Sequence, residues 1–300
     1  MLFRSCEQWK LTELIHQRLS QLDHVCFHFG AKVQTVVQSD ERVEMHVEQN
    51  GETIKLRGDY LIGADGAWSQ VRTELGVAFE GFTYPERFLV VSTPFEFADH
   101  MPGLSYVNYC SDPHEWCVLL RVPTLWRVLF PTAADASDTD VMTDAYIQSR
   151  LQHLLANATD YEVNHRTLYK VHQRVAQFFG VGRVFLAGDA AHINNPLGGM
   201  GMNGGIHDAM NLSRKLVSVL LHGESSQVLE RYERQRRPIA IEYINANTAR
   251  NKKQLEEQDP VQRQKNQDEW RAIASDKQRS LAYLKKTSMI DALEKSEALA

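Results

Sequence analysis

Asp189 stands alone after the apolar run 183–187, and behind it Gly198, Gly199, Gly201, Gly204 and Gly205 strip a loop of side chains. A carboxylate so placed can accept hydrogen bonds from ribose-like hydroxyls, and a flat ligand can lie against bare backbone. The loop opens into a helical pattern from about Met202 to Leu221, and the free N–H groups of a helix start favour a developing anion. That arrangement suits a reduced flavin, whose negative charge collects around N1 and the C2 oxygen. Glycine weakens helices and strands unless the backbone needs it, so a purely structural reading explains this loop poorly.

A second segment, 59–72, has related features. The apolar run 60–62 enters a turn of Gly63, Ala64, Asp65 and Gly66, and Ser69 can cap a helix carrying Val71 and Leu75. Asp65 can accept hydrogen bonds there, and Arg72 offers a fork of donors for phosphate or carboxylate. A capped strand–turn–helix with a structural aspartate accounts for the same residues, and the segment alone leaves both readings open. The run from Gly199 to Gly204 matches GxGxxG literally, but the preceding strand ends well before it and Glu224 falls between two helices. A dinucleotide fingerprint needs a strand directly before it and an acidic residue at the end of a second strand, so this match is rejected.

These residues need elements to position them. The spacing predicts a helix over 7–22 through Leu11, Leu14, Ile15, Leu19 and Leu22, and strands over 24–30, 32–38 and 42–48. Asn50 and Gly51 signal a hairpin joining 43–47 to 53–56. From about 79 to 130, aromatic-rich strands broken by Pro, Gly and Asp predict an antiparallel sheet, followed by a helix over 144–155 and a strand over 163–171. A buried strand over 183–187 precedes the glycine loop, and a further helix runs from about Ser225 to Pro238. The remainder, 251–300, is charged and helical, with sparse apolar positions at Trp270, Ile273, Leu281, Leu284 and Ile290 that suit surface packing or partial disorder.

Composition narrows the class. The chain has 300 residues, a net charge of -5, 43% hydrophobic and 24% charged residues, ordinary values for a globular protein. Neither nucleic acid nor an anionic membrane is an expected partner, and no apolar run reaches the length of a membrane span. Cys6, Cys26, Cys110 and Cys117 form no CxxC pair or metal spacing and read as reduced, buried thiols in a cytoplasmic protein, with no metal site expected.

Taken together, the two segments resemble the second and third motifs of the FAD-dependent aromatic-ring monooxygenases typified by para-hydroxybenzoate hydroxylase. Gly63 to Gly66 with Ser69 and Arg72 is similar to the family's central Asp-Gly motif, which contacts FAD. Gly188 and Asp189, followed by His192, Pro196 and the run 198–204, are similar to its Gly-Asp motif. The resemblance implies that Asp65, Gly66, Arg72, Gly188 and Asp189 contact the cofactor, with Asp189 on the ribityl chain. It also implies that Pro196 borders the isoalloxazine and that Gly198, Gly199, Met200, Gly201, Met202 and Asn203 face its pyrimidine edge. The implied fold is α/β (α+β): a glutathione-reductase-like FAD-binding domain over 1–78 and 176–245, an inserted antiparallel-sheet substrate domain over 79–175, and a helical tail over 246–300. The family opens with a strand, a GxGxxG turn and a helix holding the ADP half of FAD, and no such unit occurs in these residues. The expectation is therefore weak FAD binding and poor folding by this chain alone; Arg4 aligns only loosely with a cofactor-contacting arginine and reads as a solvated charge.

The implied activity is NAD(P)H- and O2-dependent hydroxylation of a small aromatic molecule through a flavin C4a-hydroperoxide, with FAD as cofactor and NAD(P)H as co-substrate. No catalytic acid or base is identified. His192 reads as structural, and Tyr84, Tyr106, Tyr109, Trp116 and His165 fall in the substrate sheet, where core packing explains each as well as ligand contact. The absence of a WxWxIP run disfavours a halogenase. Alternatives are an inactive or partner-dependent fragment, and a flavin reductase or dehydrogenase of the same fold.

Overall fold

The computed structural model describes residues 7–112 and 115–299, so Arg4 and Cys6 lie outside the described residues. In chain order, α1 (Gln8–Leu19) precedes a meander of β1 (Lys32–Gln38), β2 (Val43–Gln49) and β3 (Glu52–Gly58). The hairpin between β2 and β3 turns on Asn50 and Gly51, at φ 55° and 82°, and pairs Val43 with Gly58 and Val47 with Ile54. Positive φ at both central residues matches the right-handed twist of the flanking strands, which is why this dipeptide was legible. The alternation over 24–30 forms no strand. Phe27 and Phe29 stack on each other at 5.7 Å instead, and the segment has no ladder to satisfy its backbone. The apolar spacing of α1 is present, yet the helix buries none of it, and Leu14 is 61% exposed.

β4 (Leu61–Gly63) leads into α2 (Gln70–Glu74), then β5 (Phe79–Thr93), β6 (Val107–Cys110), β7 (Cys117–Arg121) and β8 (Trp126–Thr132). Next come α3 (Asp138–Val141), α4 (Asp144–Leu154), β9 (His165–Ala176), β10 (Gly180–Val181), β11 (Val184–Leu186) and β12 (His192–Ile193). The last part is helical: α5 (Gly201–His222), α6 (Glu230–Ile239), α7 (Ala246–Leu255), α8 (Pro260–Ser275), α9 (Lys277–Thr287) and α10 (Ile290–Ala298). The long helix expected after the glycine loop is therefore α5, and α6 ends one residue after Pro238.

The described chain forms two compact units. One takes 7–26, Thr83–Val171 and Lys252–Asn266; the other takes Phe27–Phe82, His172–Asn251 and 267–299. The first unit carries the antiparallel sheet in the order β9-β5-β8-β7-β6. Leu89, Val91, Leu119, Val128 and Phe130 alternate inward from it and pack with Ile147 and Leu151 of α4 around Phe97, Trp126 and Tyr161. Trp116 belongs to the same sheet's interior: it is 6% exposed and meets Phe88 edge to face at 5.5 Å. Tyr106 and Tyr109 stay open at 45% and 42%, Tyr84 lies under the Lys252 ammonium, and His165 meets the Thr167 hydroxyl at 2.7 Å. Cys110 and Cys117 face each other across β6 and β7 as free thiols, whereas Cys26 is exposed rather than buried.

The second unit holds β4 parallel to β11, with β10 on the other side of β11. Its core joins Val71, Val175, Phe179, Val184, Phe185, Leu186, Leu212, Leu229 and Tyr232. A methyl at Gly63 would sit 2.8 Å from Val71 Cγ1 and 3.0 Å from Leu186 Cδ2, so only glycine lets β4 run this close to α2 and β11. Within the tail, Trp270 packs on Tyr283 at 5.0 Å, and Met289 and Ala292 are buried against Met200 and Ile239.

Candidate functional site

The two glycine segments meet because β4 and β11 are parallel neighbours, which brings the turns that follow them to the same end of the sheet. After β4, Asp65 is committed locally. Its Oδ1 accepts from the Ser69 hydroxyl at 2.5 Å and its Oδ2 from the Val71 N–H at 3.1 Å. Ser69 caps α2 in turn, accepting from the Arg72 N–H at 2.9 Å. Gly66 supports this turn at φ 82°.

Arg72 is 7% exposed, and its fork closes on main chain: Nη1 donates to Ala190 O at 2.8 Å and Nη2 to Ala67 O at 2.7 Å. Its guanidinium also lies 3.8 Å from the Phe79 ring centroid. Burial lowers its pKa, with Asp65 opposing that shift. Arg72 thus ties the Asp65 turn to the Asp189 turn, and the structure brings together the two segments singled out in the sequence.

After β11 the chain turns at Gly188, φ 59°, into a short 3-10 turn. Asp189 is exposed on it, and no hydrogen bond within the described residues reaches its carboxylate. Desolvation raises the Asp189 pKa, with His192 pulling the other way. Asp189 is exposed, so a carboxylate there without a donor is open to hydroxyl groups from outside. The loop then runs through Pro196, half-buried, to Gly198 and Gly199 at φ 123° and 64°. Gly199 N–H closes a turn on Pro196 O at 3.0 Å.

Helix α5 begins with Gly201, Met202 and Asn203, the last two exposed, and no side chain caps its start at Met200. The Asn203 side chain bonds back to Gly199 O at 3.2 Å, leaving the first N–H groups of a 22-residue helix without a side-chain acceptor. Such an end carries roughly half a positive charge. Beside it, Asn195 is fully buried and its Nδ2 lacks a partner. An exposed carboxylate without a donor and an uncapped helix start along glycine backbone fit a flat, polar ligand that gains negative charge.

Behind the loop lies a charged core that the sequence reading did not assemble. Asp208 is 0% exposed; its Oδ2 meets His192 Nε2 at 2.8 Å and accepts from the Gly188 N–H at 3.1 Å, while its Oδ1 accepts from Arg236 Nε at 2.7 Å. Burial works against the charge, but His192 and Arg236 outweigh it and hold the Asp208 pKa below its usual value. His192 also stacks on Phe179 at 5.9 Å, which accords with a structural role. The signal for Arg236 was available: it continues the buried face of Leu229, Tyr232 and Ile239, where a cation needs a partner. Asp208 likewise falls on the buried face of α5, four residues before Leu212.

Among the described residues no group of His, Cys, Asp and Glu could hold a metal, and no helix is long and apolar enough to cross a membrane. The model of a family described as FAD binding domain matches residues 2–247. Para-nitrophenol 4-monooxygenase of Pseudomonas sp. (strain WBC-3) is 36% identical over 258 residues, covering 84% of this chain and 63% of the relative. The 6-hydroxy-3-succinoylpyridine 3-monooxygenase HspB of Pseudomonas putida (strain DSM 28022 / S16) is 32% identical, covering 84% of this chain and 64% of the relative. The chain therefore spans less than two thirds of the length of these curated relatives. The crystal structure of p-nitrophenol 4-monooxygenase PnpA from Pseudomonas putida DLL-E4 superposes with a TM-score of 0.86 at 32% identity, over 96% of this chain and 72% of that one. Aklavinone-11 hydroxylase, solved with FAD and aklavinone, gives a TM-score of 0.69 at 26% identity, over 76% of this chain and 44% of that one.

Proposed function

The chain belongs to the FAD binding domain family, and from that premise we propose that it serves an FAD-dependent monooxygenase that hydroxylates a small, hydroxyl-bearing aromatic ring with NAD(P)H and O2. The observation that carries this reading is the uncapped start of α5 beside an Asp189 carboxylate without a donor. Asp189 would hold the ribityl hydroxyls, Pro196 would border the ring system, and Gly198, Gly199, Met200, Gly201, Met202 and Asn203 would face its pyrimidine edge. Asp65, Gly66 and Gly188 would lie along the cofactor, with Arg72 fixing the distance between their two turns through Ala190 O.

When bound, FAD supplies the electron transfer and oxygen activation, and the chain supplies placement and electrostatics. The α5 N-terminus stabilises negative charge gained by the cofactor, because its backbone dipoles are already oriented before reduction. The buried Asp208–His192–Arg236 core holds Gly188 through its N–H and so fixes the turn that presents Asp189.

In this reading 1–78 and 176–245 bind the cofactor, 79–175 bind the substrate, and 246–300 form a helical tail. Reaction in the cytoplasm follows from the NAD(P)H supply. Substituted phenols are the substrates to test first, because two relatives are described as acting on para-nitrophenol and on a hydroxypyridine. The test is anaerobic and aerobic turnover with FAD and NADPH or NADH. Phenol-stimulated NAD(P)H oxidation with one oxygen atom from O2 in the product supports the reading. Oxidation without oxygen insertion would make the chain part of a flavin reductase or dehydrogenase instead.

A further inference from the structure

Away from the Asp189 loop, α5, α6 and α10 enclose a cavity of about 170 Å3 whose polar lining is His207, Asn211, Arg214, Arg236, Ser296 and Glu297. Arg236 is 1% exposed, and only part of its guanidinium is used. Nε donates to Asp208 at 2.7 Å and Nη2 reaches Gly204 O at 3.4 Å, while Nη1 has no partner. His207 also lines the cavity, and its Nδ1 is buried without a partner. An unmade hydrogen bond from a buried charged group is among the costlier defects a fold can carry.

The surrounding charge is unbalanced in the same direction. Burial, and then Arg231, Arg214 and Arg236, pull the Lys215 ammonium down to about 8. Burial and Arg236 also lower the His207 pKa, with Asp208 opposing. The Asp208 carboxylate is shared between His192 and Arg236. Glu297 stands 3.8 Å from Arg214 with both side chains about two-thirds exposed, at 66% and 69%, so it screens the mouth and leaves Nη1 of Arg236 unmet. Asn211 is occupied by Lys215 and Gln235, and the Ser296 hydroxyl donates to Gln235 O.

We propose that this cavity is a second ligand site, which takes a free tetrahedral oxyanion between Arg236, Arg214 and His207. Arg236 offers Nη1 alone, since its Nε and Nη2 are engaged, His207 offers one ring nitrogen, and Arg214 is held only by a 3.8 Å ion pair, so the donors converge from three separate residues. Several acceptor oxygens spread over a tetrahedron match that pattern better than the flat edge of a carboxylate, which seeks a two-pronged guanidinium. The volume is far above the roughly 10–15 Å3 that one water needs.

The probe is inorganic sulfate, which keeps its charge across the accessible pH range. Thermal unfolding of the full chain is followed against sulfate at constant ionic strength, with Arg214→Gln and His207→Phe alongside. A ligand that binds only the folded state raises Tm with the logarithm of its concentration above Kd, whereas general sulfate stabilisation acts on the whole surface. The expected result is a logarithmic rise starting at millimolar sulfate, displaced at least tenfold to higher concentration in both variants. A rise of the same shape and size in all three proteins would overturn the proposal and leave the cavity to water.

Discussion

Arg72 reaches across 118 positions of sequence to donate its Nη1 hydrogen to the Ala190 carbonyl at 2.8 Å, and this bond joins the turn after β4 to the turn after β11. The same guanidinium holds Ala67 O through Nη2. Arg72→Met keeps most of the stem packing and strands both carbonyls. Hydrogen bonds to charged groups are worth about 1.5–3 kcal/mol, so a loss of that order is expected in urea unfolding. Arg72→Lys should recover only part of it, because an ammonium cannot span both acceptors in a planar fork.

Asp208 is the anion on which the buried core depends. Asp208→Asn leaves Arg236 as an uncompensated buried charge, which costs about 3–5 kcal/mol. The pH dependence has a definite sign. Because the folded pKa lies below the reference value of 3.8, the carboxylate's contribution is fully present above that value and is lost as pH falls through the folded pKa. Acid unfolding of the native chain should show this loss, and the Asn variant should lack that component.

Gly205 faces Gly188 where α5 passes the turn after β11, and a methyl on Gly205 would lie 3.2 Å from Gly188 Cα. Alanine there is tight and valine overlaps. Gly205→Val should cost about 1–3 kcal/mol by overpacking. It should also weaken flavin binding, because the turn that presents Asp189 must move; thermal melts and a flavin titration check the two effects separately.

Asp189 carries the opposite stability sign from Asp208. Its pKa is raised, so ionisation at neutral pH disfavours the fold, and stability should rise as pH falls through the raised value. Because the side chain is exposed, water screens most of this penalty, and Asp189→Asn should raise Tm only slightly at neutral pH. Flavin affinity should move the other way, falling about tenfold to a hundredfold for the loss of a charged acceptor worth about 1.5–3 kcal/mol. A site residue that the fold tolerates at a cost is distinguished by this pair of opposed shifts.

Local signals were legible where local chemistry decides the outcome. Asn50 and Gly51 set the β2–β3 hairpin, Ser69 caps α2 and the glycine loop opens into α5, because positive φ and capping depend on a few adjacent residues. The segment 24–30 reads as a strand by alternation and forms none, since alternation cannot say whether a partner strand exists. The fate of Arg72 was hidden for a related reason: its fork suits a phosphate and two carbonyls equally, and only the fold brings Ala190 within reach. Arg236 and Asp208 were individually visible as charges on buried faces, but their pairing links α5 with α6 across 28 positions and has no sequence spacing of its own.

The central claim is that the Asp189 turn and the start of α5 form a flavin site, and FAD titration of the full chain tests it most directly. Quenching of flavin fluorescence is followed for the native chain and for Asp189→Ala, with circular dichroism confirming that both are folded. The account predicts weak but saturable quenching by the native chain that is lost or displaced at least tenfold in the variant. Equal quenching by both folded proteins, or none by either, would contradict it.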